Sequence, residues 1–413
     1  MQKLLKISQQ TFWQVLGKVV ASSSTILILS LVTRNYGVKG TGELTLALLY
    51  LAYFATAVDA GINGHLMPKF LSPGFSNVWR KLLGLRLLLG VFLMVIAVVG
   101  IIIWPTSDLI FKQLVLLGII GAILEPAVWT TCSAVFQAKL RYELPVSAWI
   151  AGSLVELLVI FVVVKNGLAL SYLMVGVIAG WLVMIILPLF LIRKYIQNLW
   201  PIFDFRFIKT IMKASWPISL TLVINLIYFR FDSFLLSVIK NFSEVGIYNL
   251  SYSIFQSILV LPAFIMNSFY PMMLETLKNQ LDRFHSQIKI AAAGLLGFSL
   301  VVSLVTYFLS PVAIQIIAGP GFEGSITSLR ILSFGLPAYF ISALLMWVYI
   351  SKNMYKKMLL IYMFGLGFNL LANLIFIPQY GFIAASWITG ISEYLILILQ
   401  IIILSFPRKR ESN

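Results

Sequence analysis

The chain is built from long uninterrupted apolar runs separated by short polar breaks. Read as membrane spans of roughly 20 residues, the runs number about twelve. By residue number they cover about 9–32, 43–60, 82–104, 114–137, 146–164 and 170–192 in the first half. In the second half two runs lie within 207–273, parted by the polar turn Lys240 to Glu244. Four more cover about 290–309, 329–350, 358–377 and 382–405. The runs are too long and too continuous for the short alternating strands of a β-barrel, so the pattern predicts an all-α integral membrane protein.

Polar residues recur inside several runs at helical spacing, and hydrocarbon makes each of them costly. In the first span Gln10, Gln14, Lys18, Ser22 and Thr25 form one stripe. Arg34 sits at its outer end. The second span carries Tyr50, Tyr53, Thr56 and Asp59, with Asn63 beyond. Asp59 precedes Gly61, so capping of the next turn is an alternative use for its carboxylate. Arg86 near the start of the third span fits interfacial snorkelling, as does Lys18 on the simplest view. The fourth span holds Glu125-Pro126, where proline frees a carbonyl that neighbours must satisfy. In the seventh, Thr221, Asn225, Tyr228 and Asp232 share a face, with Arg230 roughly 160° away from Asp232. Glu156 and Glu393 belong to no wider stripe and suit plain interhelical hydrogen bonding.

Composition agrees: 60% of the 413 residues are hydrophobic and 11% are charged, far below the charged content of a soluble domain. The net charge of +16 is an orientation signal here and not a nucleic-acid patch. With a cytoplasmic N-terminus, roughly 22 of the 30 Lys and Arg fall on the cytoplasmic side, against about 6 opposite. The single Cys132 excludes an internal disulfide, and His65 and His285 supply no metal-ligand spacing. The first apolar run is too long for a cleavable signal and reads as a span.

The chain also repeats. A shift of about 204 residues lays Gly42 on Gly246 and brings Pro68 within one residue of Pro271. We therefore expect two six-helix lobes, 1–195 and 213–413, related as a parallel repeat and joined by an amphipathic interfacial linker over 196–212, helical over about 199–212. No nucleotide-binding loop, nucleophile elbow or Cys/His cluster is present, so the residues point to transport and not to an enzyme or a cofactor. Lys18, Arg34, Asn225 and Arg230 form a candidate substrate set suited to an anionic head such as a diphosphate. Asp59, Glu125 and Asp232 are candidates for holding a coupling ion.

Three stretches carry a family resemblance: RNYGVKGTGELTLALLYLAYFATAVDAGINGHLMPKF, KNFSEVGIYNLSYSIFQSILVLPAFIMNSFYPMM and NMYKKMLLIYMFGLGFNLLANLIFIPQYGFIAASWITG. Together with AGPGFEGSITSLRILSFGLPAYF they resemble the polysaccharide-exporting, Wzx-like branch of the MOP exporter superfamily. The resemblance implies a MATE/MOP-like fold with a V-shaped cavity. It also implies a bacterial inner-membrane flippase that moves a polyprenyl-diphosphate oligosaccharide, such as an O-antigen repeat unit, to the periplasmic leaflet. Cationic cavity residues in the first helix of each lobe map onto Lys18 and Arg230. The partners it implies are membrane lipids, a polysaccharide polymerase and a chain-length regulator. About twelve spans are two fewer than is usual for flippases of the peptidoglycan lipid precursor. The alternative is a drug/cation antiporter of the same superfamily, which typically carries an acid in place of lysine on the first helix.

Overall fold

The computed structural model describes residues 2–59 and 61–405, with side chains from residue 12 onward except at a few positions within 217–225 and 267–279. Among the described residues there are helices and no strands. The helices are α1 (Gln2–Asp59), α2 (Ile62–Phe70), α3 (Phe75–Ile103), α4 (Leu109–Ala138), α5 (Glu143–Lys165), α6 (Leu173–Ile192) and α7 (Phe205–Ile239). They continue with α8 (Phe242–Ile258), α9 (Val260–Asn279), α10 (Leu281–Ile317), α11 (Glu323–Ser333), α12 (Leu336–Ser351) and α13 (Tyr355–Ser405).

Two of these helices are each a pair of spans joined at one glycine. Gly37 breaks α1 with φ 64° and ψ −167°. Gly381 breaks α13 with φ 56° and ψ −135°. Side chains with a Cβ avoid this region, so each glycine permits a reversal without a loop. α8 with α9 forms one span interrupted at Leu259, and α11 with α12 forms one span bent by 45°. Counted this way the chain has the twelve spans that the hydropathy pattern predicts.

Broken spans leave carbonyls that hydrocarbon cannot solvate. At the α11–α12 break, Ser303 Oγ donates to Ser333 O at 2.6 Å and Tyr394 Oη donates to Phe334 O at 2.9 Å. Pro337 occupies the first turn of α12, where its missing N–H costs nothing.

Two compact units divide the chain, 1–230 and 231–413, with the division inside α7. The densest core of the first unit gathers Ile62, Leu66 and Phe70 of α2, Trp79 and Leu82 of α3, and Phe136 of α4. Ile211 of α7 belongs to the same cluster. Its lipid-facing side is read off α3, where Val91, Val95, Val99 and Ile102 stand exposed in one row. In the second unit α8 packs on α11 and α13, and Met273, Phe284 and Val348 close the end of α9, α10 and α12.

The connection after α6 differs from the helix expected over 199–212. Residues 199–204 are extended and α7 starts only at Phe205. Pro201 offers no N–H, and Ile202 N–H donates to Arg80 O at 3.0 Å. Arg80 Nε donates to Trp200 O at 2.8 Å, and Lys81 pairs with Asp204 at 2.7 Å. Asp204 also caps α7 by accepting from Phe207 N–H at 3.0 Å. The Lys81 ammonium and then the Phe207 N–H hold the Asp204 carboxyl below its ordinary range. This exposed contact is therefore complete above pH about 4 and weakens as pH falls through the lowered value.

The strap lies directly on Gly84, where an added Cβ would run into Ile202 O. Gly84→Leu is expected to lift the strap, costing about 1–3 kcal/mol as overpacking. Faster proteolysis within 193–204 would report it. Gly381→Ala forces an alanine to positive φ and pushes into the Glu244 carboxylate, which accepts from Phe382 N–H at 2.7 Å. It should lower stability by about 1–3 kcal/mol in detergent, measured by thermal unfolding.

Candidate functional site

The exposed surface of the first span of α1 divides into two strips. Phe12, Val15, Val19 and Ile26 form an apolar strip suited to lipid. Gln14, Lys18 and Thr25, also exposed, form a polar strip about 100° further round. Ser22 continues that strip in half-buried form. The remaining face, with Gly17, Ala21 and Ser24, is buried, and Gly17 lies against Val146 of α5. Lys18 thus stands on a polar face and apart from the hydrocarbon-facing one, and no ion pair reaches its amine among the described residues. Arg34 is exposed, one turn before the Gly37 break.

Asp59 pairs in the first unit with a residue that sequence reasoning placed at the interface. Arg86 is 0% exposed. Its Nη2 donates to Asp59 Oδ1 at 2.8 Å, to Asp59 O at 3.1 Å and to Asn63 Oδ1 at 3.1 Å. Nη1 donates to Thr131 Oγ1 at 2.9 Å, and Asn63 Nδ2 donates to Thr130 O at 2.8 Å. Glu125, on the same helix as Thr131, lies within electrostatic reach of Asp59. The guanidinium therefore ties the end of α1 and the start of α2 to α3 and α4. Asp59 does not cap α2, whose N-cap is Gly61 without a side-chain bond.

Asp232 lies in a separate cluster in the second unit. It is 3% exposed and accepts from Ser233 N–H at 2.7 Å, from the Tyr248 hydroxyl, and from Thr389 Oγ1 at 3.3 Å. Ser233 Oγ donates to Asn249 Oδ1 at 2.7 Å. Next to it runs a hydroxyl chain, Ser251 to Ser328 at 2.6 Å and Ser328 to Ser386 at 2.7 Å. The α7 face expected to be polar is therefore packed against α8 and α13 at Asp232. Tyr228 on that face is also buried. Arg230 is half-buried, and the Asn225 side chain lies outside the described residues.

Glu393 accepts from Ser342 Oγ, joining α13 to α12. Asn369 Nδ2 donates to Ser392 Oγ at 3.1 Å and Asn373 Nδ2 to Asn369 Oδ1 at 3.0 Å. Glu156 sits where Gly180 of α6 crosses α5. The structure thus puts Glu125 within electrostatic reach of Asp59 in the first unit, places Asp232 in the second, and adds Arg86, Tyr248 and Thr389. Spacing within one helix could not have shown these, because every bond in question runs between helices.

The described residues form a bundle of apolar helices, some broken at glycine or bent, with charged groups buried between them. Residues 7–277 match the family described as polysaccharide biosynthesis protein, and the chain belongs to that family. Among solved structures it is similar to the lipid II flippase MurJ in an inward closed conformation. That match has 14% identity and a TM-score of 0.77, and covers 97% of this chain and 88% of that one. It is similar also to an inward-facing multidrug resistance MATE family transporter of the MOP superfamily, with 11% identity, TM-score 0.76, and 95% and 96% covered. A MOP superfamily transporter from Pyrococcus furiosus matches with 13% identity, TM-score 0.64, and 96% and 94% covered. No curated protein matches the sequence significantly. The chain is a MOP-type exporter by fold and family, a group of transporters and flippases and not of enzymes.

Arg86→Met leaves Asp59 without its cation, and Asp59→Asn leaves a buried guanidinium without its carboxylate. Either change should cost about 3–5 kcal/mol, whereas the double exchange should recover most of that loss. Unfolding of the four purified proteins in detergent gives the comparison.

Proposed function

We propose that the chain is a Wzx-like flippase. It moves a polyprenyl-diphosphate-linked oligosaccharide, an O-antigen or other surface-polysaccharide repeat unit, across the bacterial cytoplasmic membrane by alternating access. The observation that carries the reading is Lys18, an exposed cation on a polar strip of α1 separate from the lipid-facing one. A diphosphate head needs such a group at membrane depth, while its polyprenyl tail can remain in lipid. Membership of a polysaccharide biosynthesis family supports the class of cargo, and the name of the MurJ neighbour supports the mode of movement.

Arg34, Asn225 and Arg230 complete the proposed substrate set. Asp59 and Glu125 beside Arg86, and Asp232 beside Tyr248, are the proposed places for a coupling proton or cation. By element order α7 opens the second repeat although its first turns pack in the first unit. We accordingly take 1–195 and 213–413 as the lobes and 196–212 as the connection. Both termini are placed in the cytoplasm, following the distribution of Lys and Arg. A polysaccharide polymerase and a chain-length regulator are the partners this role would bring.

Exchange of both Lys18 and Arg230 for alanine tests the proposal. Each charge-assisted contact is worth about 1.5–3 kcal/mol, so losing both should slow translocation about 10²–10⁴-fold. Membrane insertion should be unaffected. Surface polysaccharide in a strain lacking its own flippase is the readout, and full complementation by the double variant would remove the anion-site reading.

A further inference from the structure

The second unit carries an apolar groove of about 410 Å³ between α9 and α10. Ile265, Phe269 and Met272 line one wall, and Ile290, Gly294 and Phe298 the other. The α10 positions recur at intervals of four, so they form a continuous face of that helix. Its outer rim is well exposed, with Met272 at 45% and Ile290 at 69%, while Met266 at its floor is fully buried.

Gly294 is the unusual member. Glycine in a membrane helix commonly lets a neighbouring helix approach closely. Here a Cβ added at Gly294 would meet nothing within 4 Å. The missing side chain therefore widens a trough and does not serve packing within this unit.

One end of the groove is polar. Gln287, in the lining, accepts from Thr276 Oγ1 at 2.8 Å. One turn beyond, in register with the α10 lining, comes Arg283, exposed and hydrogen-bonded through Nη1 to Gln280 Oε1 at 3.3 Å. Lys352 lies over the Phe284 ring at 5.5 Å, bringing a second cation to the same end. Asp282 is turned away from the lining face of α10 by helical register, while Glu275, exposed one turn beyond Met272, is the acid nearest this end. The groove thus runs from a cationic end, on the side proposed above as cytoplasmic, into a purely apolar trough.

We propose that this groove binds the isoprenoid chain of the lipid-linked substrate, with the diphosphate near Arg283 at loading. The inference rests on the flippase reading and adds a tail site to it. Charge complementarity favours an anionic amphiphile. An open trough with aromatic and methionine walls suits a bulky methyl-branched chain.

The test uses the full-length protein in vesicles with a polyprenyl diphosphate carrying a photoreactive group in its chain, and a phospholipid carrying the same group. The isoprenoid probe should label 265–272 and 290–298, and unlabelled polyprenyl diphosphate should compete it away. Gly294→Phe fills open space and should insert normally, yet reduce both labelling and translocation by about tenfold or more. Leu300→Phe, on another exposed face of α10, should leave both unchanged. Equal labelling by the phospholipid probe, wild-type translocation by Gly294→Phe, or a disulfide-linked dimer of Gly294→Cys would each overturn the groove assignment. Failure of the wild-type protein to translocate any polyprenyl diphosphate would overturn the flippase reading itself. Translocation that is indifferent to Gly294→Phe would overturn only the tail site.

Discussion

Inside a bilayer every backbone and side-chain polar group must find its partner within the protein, because no water is available to replace it. That constraint governs this chain at three levels. It makes the spans helical. It places hydroxyls at the backbone breaks, as where Ser303 and Tyr394 serve the carbonyls freed between α11 and α12. It also gathers the charged residues into clusters, since a lone carboxylate or guanidinium in hydrocarbon is costly.

The Arg86 cluster shows how such a cost becomes an organising device. A guanidinium with several fixed donors can bind acceptors on different elements at once, which a lysine ammonium does less rigidly. Arg86 of α3 reaches Asp59, Asn63 and Thr131, so α1, α2 and α4 are tied to α3 through one cation. Asp232 in the other unit accepts from the Ser233 N–H and from the Tyr248 and Thr389 hydroxyls.

Transport by such a chain rests on separating surfaces that meet lipid from those that meet a polar cargo. On α1 this separation is visible within one helix, with Val15 and Val19 on one strip and Gln14 and Lys18 on the next. On α9 and α10 the lipid-facing surface is itself shaped, through Gly294 and the aromatic walls beside it. The proposed head-binding strip and the proposed tail-binding trough would meet complementary demands of an amphiphilic substrate.

Hydropathy alone determined the number of spans, because the thickness of hydrocarbon sets their length whatever surrounds them. The reversals at Gly37 and Gly381 have a local cause, since only glycine adopts that backbone readily. Tertiary structure decided what the polar residues are for. Arg86 looked like an interfacial side chain because its partners sit 27 and 45 positions away in the sequence. The strap at 199–204 looked helical because its docking on Arg80 and Gly84 cannot be read from its own composition. Local rules fix where the chain turns, whereas pairing of buried charge depends on which helices become neighbours, and that is settled only when the bundle packs.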